Sequence, residues 1–79
     1  MPKVKTIGPY DFFFYSNDHE PPHIHVREGS DEATFSLSPD VSLVVNRGFA
    51  SHKLTRIQSL VKDHRAEFAR RWYEHLGGR

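Results

Sequence analysis
Two histidines, His23 and His25, stand two residues apart in the run Pro21-Pro22-His23-Ile24-His25-Val26-Arg27. In an extended strand that spacing sends both imidazoles to one face, with Arg27, and sends Ile24 and Val26 to the other. Imidazoles that titrate near neutrality can serve as general base and general acid, as cleavage of RNA without a metal requires. The Arg27 guanidinium could stabilise developing phosphate charge beside them. The same pair can place two nitrogens on one zinc, nickel or copper ion. Further ligands would have to swing in from Asp18, His19 or Glu20, and nothing in the sequence holds them there. The leading expectation is therefore no cofactor, with a divalent ion at His23 and His25 as the alternative. Serine and threonine are present without a histidine–carboxylate spacing that suggests a hydrolytic triad. No glycine-rich phosphate loop is found, which argues against nucleotide hydrolysis.

The elements that must position these groups follow from pattern. Residues 1–49 read as sheet: short strands over Val4–Ile7, Tyr10–Ser16, His23–Arg27, Glu32–Leu37 and Val41–Val45, broken by Gly8-Pro9, Asn17–Pro22, Glu28–Asp31, Pro39-Asp40 and Asn46–Gly48. Residues 50–77 read as one long helix, with Ser51 as N-cap and Gly77-Gly78 as the stop. Leu54, Ile57, Val61, Phe68 and Trp72 fall on one stripe, within an arc of about 60° at the helical period. The expected architecture is α+β, a small antiparallel sheet of four to five strands packed on one C-terminal helix in a single domain over 1–79.

A single helix covers only one face of a sheet. The other face should carry His23, His25, Arg27, Thr34 and Ser36, together with one alternating aromatic pair, Phe12 and Phe14 or Phe13 and Tyr15. Three explanations for such a surface compete. It meets a protein partner, including a second copy of this chain through the sheet; it stacks single-stranded nucleic acid on its aromatic rings; or it is covered by the N-terminal strand and loops. His64 falls on the apolar stripe of the helix, between Val61 and Phe68 in sequence, and so on the opposite side from His23 and His25.

Composition sets outer bounds. With 79 residues the core is thin, and with no cysteine both disulfides and thiolate metal sites are excluded. The N-terminus lacks the apolar run of a signal peptide and no window is long enough to span a membrane, so a cytoplasmic protein without membrane contact is expected. Charge is uneven: residues 1–50 hold four basic residues against seven acids, and residues 51–79 hold seven against three. Arg70 and Arg71 belong to the basic part. Such a division suits RNA or an acidic protein, and equally a solvated helix face.

Several blocks together carry a resemblance: Met1-Pro2 with Ile7-Gly8, Phe12–Asn17, Glu20-Pro21-Pro22-His23-Ile24-His25-Val26, Ala33-Thr34-Phe35, Asn46–Phe49, and a helix with Leu54, Ile57, His64, Phe68 and Trp72. In these the chain resembles the small bacterial domain-of-unknown-function family 4160 over nearly its whole length. The resemblance implies the toxin half of a type II toxin–antitoxin pair, held silent by a cognate antitoxin protein. It also implies that His23, His25 and His64 are the positions that matter. The reading that follows is a toxin acting on RNA or translation, with His23, His25 and His64 as its chemical residues. Phe13, Tyr15, Arg27, Arg70 and Arg71 would be its partner or nucleic-acid contacts. Alternatives are a non-catalytic module that binds protein through its sheet face, and a metal-responsive regulator.

Overall fold
Alternation along the central strands decides the architecture. The computed structural model describes residues 3–76, and in it five strands form one antiparallel sheet in sequential order. They are β1 (Lys3–Ile7), β2 (Tyr10–Phe13), β3 (His23–Glu28), β4 (Asp31–Ser36) and β5 (Ser42–Arg47). Two helical segments follow, α1 (Ser51–Asp63) and α2 (Arg65–Leu76). The β3–β4 hairpin pairs Glu28 with Asp31 across a two-residue loop, and Gly29 takes φ +61° at its first position. That is the positive φ which tight hairpin turns place on glycine.

The register sets which side chains share a face. Val26 pairs with Phe12 and Ala33, and Ile24 pairs with Phe35. These residues are buried together with Ile57, Val61, Phe68 and Trp72 from the helices, so this face of the sheet is the core. Phe12 meets Phe68 at 5.1 Å between ring centroids, and Phe14 meets Trp72 edge-on at 5.4 Å. His25 pairs with Phe13 and Thr34, and His23 pairs with Ser36, on the opposite face. The face division expected from sequence therefore holds, and Phe13 with Tyr15 is the aromatic pair on the histidine side.

Four details differ from expectation. The C-terminal helix is not one piece: His64, at φ −107° and ψ 15°, separates α1 from α2. Main-chain bonds from His64 N to Leu60 O and from Phe68 N to His64 O cross the joint, so the two segments stay hydrogen-bonded through it. Neither proline nor glycine lies there. Beside the joint, Arg65 donates to the carbonyls of Leu37 (2.7 Å) and Pro39 (3.0 Å) and ties it to the β4–β5 loop. Second, the N-cap is Ala50, without a side-chain cap, and not Ser51. The entry turn is held instead by Asn46, which accepts from Phe49 N and donates to Phe49 O, both at 3.0 Å. Third, Phe13 is not an exposed aromatic: it is 1% accessible, because Arg27 lies 4.8 Å over its ring and His25 stacks on it. Fourth, β5 runs Ser42–Arg47 rather than Val41–Val45, and all of it is exposed, including Leu43, Val44 and Val45. Met1-Pro2 and the Gly77-Gly78 stop lie outside the described residues.

Gly48 makes the entry to α1 possible. Its φ is +109°, and a Cβ there would collide with the Asp31 carboxylate. Gly48→Ala should cost about 1–3 kcal/mol, the usual scale of a forced positive-φ residue. Urea denaturation checks this; a midpoint unchanged from wild type would show that the turn relaxes freely.

Candidate functional site
The site begins with the turn that follows β2. The chain leaves the sheet after Phe13, and Asp18 closes a turn on Tyr15: its amide donates to Tyr15 O at 3.1 Å, while Tyr15 N donates to its Oδ2 at 2.9 Å. An aspartate is suited to this, since its short side chain can accept from a backbone amide nearby. The turn carries the Asp18 carboxylate over the start of β3. There Oδ1 lies 3.1 Å from Nε2 of His23 and 3.1 Å from Nε2 of His25. Oδ2 lies 3.1 Å from the same His25 nitrogen.

Each imidazole is held at its other nitrogen too. His23 Nδ1 is 2.9 Å from Pro21 O, and His25 Nδ1 is 3.0 Å from Thr34 Oγ1. A carbonyl only accepts, so His23 Nδ1 carries the proton and donates. Nε2 of neutral His23 then turns a lone pair toward a carboxylate. A cation between them, whether a second ring proton or a metal ion, resolves that contact. His25 is satisfied without one: Nε2–H donates to Asp18 and Nδ1 accepts from the Thr34 hydroxyl.

Aromatic rings enclose the cluster. His25 stacks on Phe13 at 5.5 Å and meets Tyr15 at 4.6 Å and His23 at 5.0 Å, edge-on in the last two. Trp72 reaches the His23 ring from α2, at 4.6 Å between centroids. The Tyr15 hydroxyl donates to Glu32 at 2.9 Å, and this hydrogen bond, with burial, holds its pKa above the ordinary value. Burial pushes the His25 pKa down, against the opposing pull of Asp18. Asp18 is also desolvated, which alone would raise its pKa, but bonds from His23, His25 and the Tyr15 amide outweigh this and lower it.

Two recesses flank the cluster on this face. One, of about 290 Å³, has His19, Pro21, His23, Ser36 and Val44 among its walls. The other, of about 420 Å³, is bounded by Tyr15, His25, Glu32, Thr34, Val45 and Arg47. The three donor atoms of Asp18, His23 and His25 lie within 4.8 Å of one another. Among the described residues this is the one group whose donors could share a metal ion.

The residues expected from sequence are thus brought together only in part. His23, His25, Tyr15, Phe13 and Arg27 share the face. His64 sits at the helix joint, where its Nδ1 lies 3.2 Å from Glu67 and its ring packs on Phe68. Arg70 and Arg71 lie along α2, each within 3.8 Å of Glu74. Asp18 is the residue that sequence reasoning undervalued, as a loop acid able to swing in rather than the bridge between both histidines. The signal was its turn-forming type between an aromatic strand and the His-x-His run. His19, in the same loop, lines the recess beside His23.

The family model for a domain of unknown function, DUF4160, matches residues 10–73, and the chain belongs to that family. The match spans β2 to α2 and so contains every residue of the cluster. No curated protein and no solved structure matches the chain significantly.

Stability of the metal-free protein should fall in two stages on acidification. His25 has a depressed folded pKa, so the unfolded chain takes up its proton first. The stability it contributes is complete above about pH 6.5 and is lost as pH drops from there toward the folded value. Asp18 is likewise depressed, and its contribution is lost below about pH 4, through its folded pKa. Urea midpoints from pH 8 to 3 check this, with His25→Gln expected to remove the first stage and Asp18→Asn the second. A wild-type midpoint constant from pH 8 to 5 contradicts the assignment to His25.

Proposed function
We propose that this chain is the growth-inhibiting member of a toxin–antitoxin pair and acts on RNA or the translation machinery through the face bearing Asp18, His23 and His25. One observation carries the reading: two imidazoles converge on one carboxylate at the wall of an open recess. Such a centre can activate an attacking oxygen, as phosphodiester cleavage requires. His23 is the more accessible imidazole and would meet the substrate by turning Nε2 from Asp18 to the attacking oxygen, while Pro21 O holds its Nδ1. His25 is buried and holds Asp18 in place. His19 lines the same recess and is the natural second proton-transfer group. Arg47 borders the neighbouring recess, and Arg27 shares the face, so phosphates would find positive charge beside the centre. Arg70 and Arg71 would add contacts that position a backbone without reading its sequence. His64, bonded to Glu67 at the joint, takes a structural role.

A second reading has its own observation. Leu43, Val44 and Val45 are 42%, 59% and 38% accessible on the outer edge strand β5. Exposed apolar edges invite a further strand, from an antitoxin or from a second copy of the sheet. On this reading the chain inhibits by sequestering a protein and needs no chemistry.

Cells expressing the wild-type chain should stop growing, with RNA or protein synthesis falling at the same time. Cells expressing the His23→Ala/His25→Ala chain should keep growing, provided its circular dichroism shows it folded. Equal arrest by both chains would remove the chemical reading. Relief of arrest by Leu43→Ser/Val44→Ser, but not by the histidine changes, would favour sequestration.

A further inference from the structure
We infer that Asp18, His23 and His25 form a divalent transition-metal site, with zinc the ion that their donor set best serves. The inference shares its site with the function proposed above and rests on that reading only for what the ion would do; binding itself is separate.

The geometry supplies three arguments. First, both Nε2 atoms face one carboxylate oxygen, and His23 Nδ1 is committed as a donor to Pro21 O. Neutral His23 therefore aims a lone pair at the carboxylate, an arrangement that favours a cation among the three groups. A second ring proton would serve for His23 alone. The same oxygen also faces His25 Nε2, so an ion held there would meet both imidazoles at once. Second, the span is right. Donors around a tetrahedral zinc ion at its usual bond lengths stand about 3.4 Å apart. The contacts of 3.1 Å and the outer limit of 4.8 Å bracket that value. Third, each donor has the outer partner that metal ligands usually possess: Pro21 O behind His23, Thr34 Oγ1 behind His25, and Tyr15 N–H on Asp18 Oδ2.

Two imidazoles and one carboxylate suit borderline ions such as zinc, whereas magnesium and calcium prefer oxygen donors throughout. Three protein ligands leave a coordination position for water or substrate, as in catalytic and not closed structural sites. In hydrolysis such an ion lowers the pKa of a bound water and makes it a nucleophile.

Trp72 provides the readout. It is the sole tryptophan of the chain and packs on the His23 ring at 4.6 Å. Full-length protein freed of metal by chelation would be titrated with Co²⁺, following Trp72 emission and cobalt absorption, and then challenged with Zn²⁺. Expected are saturable 1:1 quenching, displacement of cobalt by zinc, and no competition from Mg²⁺. Asp18→Asn and His23→Gln should each weaken binding by tenfold or more, and Thr34→Val, which keeps all three ligands, by about tenfold. His52→Gln, at an exposed position in the first turn of α1, should leave binding unchanged. Thr34→Val keeps the test decisive if a ligand variant fails to fold. Absence of saturable quenching would overturn the site, as would quenching that survives in folded Asp18→Asn and His23→Gln proteins. Ion binding without growth arrest would remove the proposed function alone. Arrest that depends on His23 and His25 in a chain that binds no ion would remove this inference alone.

Discussion
Both helical segments pack on the same face of a five-stranded sheet, and most of the remaining structure follows from that asymmetry. Phe12, Ile24, Val26 and Phe35 are fully buried against Ile57, Val61, Phe68 and Trp72. Because side chains on a strand alternate, covering Ile24 and Val26 obliges His23 and His25 to face away from the helices. A slip of one residue in β3 would bury both histidines in the core and expose both aliphatics. The hydrophobic gain on one face therefore determines where polar chemistry sits on the other. Trp72 links the two, since its ring lies against Phe14 on the core side and also against His23.

The histidine face is roofed, and its roof is polar. Phe13 disappears under Arg27 and His25, and the turn around Asp18 closes over His25. Burying a carboxylate is costly unless its lone pairs are satisfied. Here the Tyr15 amide and His25 Nε2–H donate to Asp18, and His23 Nε2 faces it at 3.1 Å, a contact that a cation between them satisfies. Removing any one partner would leave part of that cost uncompensated. These partners fix Asp18, a loop residue by sequence position, over the start of β3.

The sheet's two edges are managed differently. β1 sits beside β2, and Lys5 of β1 is tied to Glu67 of α2 at 3.4 Å. β5 has no neighbour beyond it among the described residues, and a bulge between its pairings with Thr34 and Phe35 leaves Val44 without a partner on β4. Bulges and short edge strands discourage pairing with other sheets, while three exposed aliphatic residues in a row encourage it. The apolar edge also adjoins both recesses, through Val44 and Val45. Anything docked on β5 would thus lie next to the histidine centre.

Period and punctuation determined the α+β class, the strand positions to within a few residues, and the face that His23 and His25 occupy. These are local properties: two-residue alternation, a change to helical period after Ser51, and glycine or proline between segments. The helical period put His64 on the stripe with Val61 and Phe68, and in the structure it lies against Glu67 and Phe68. Tertiary structure alone decided the rest. Whether Phe13 is exposed depends on Arg27 and His25 from a neighbouring strand. The break at His64 goes with Arg65 reaching carbonyls 26 and 28 residues away. Asp18 becomes the bridge between two imidazoles only when a turn lays it across β3. No spacing in the sequence encodes that distance, because a loop's path is set by the surfaces on which it lands.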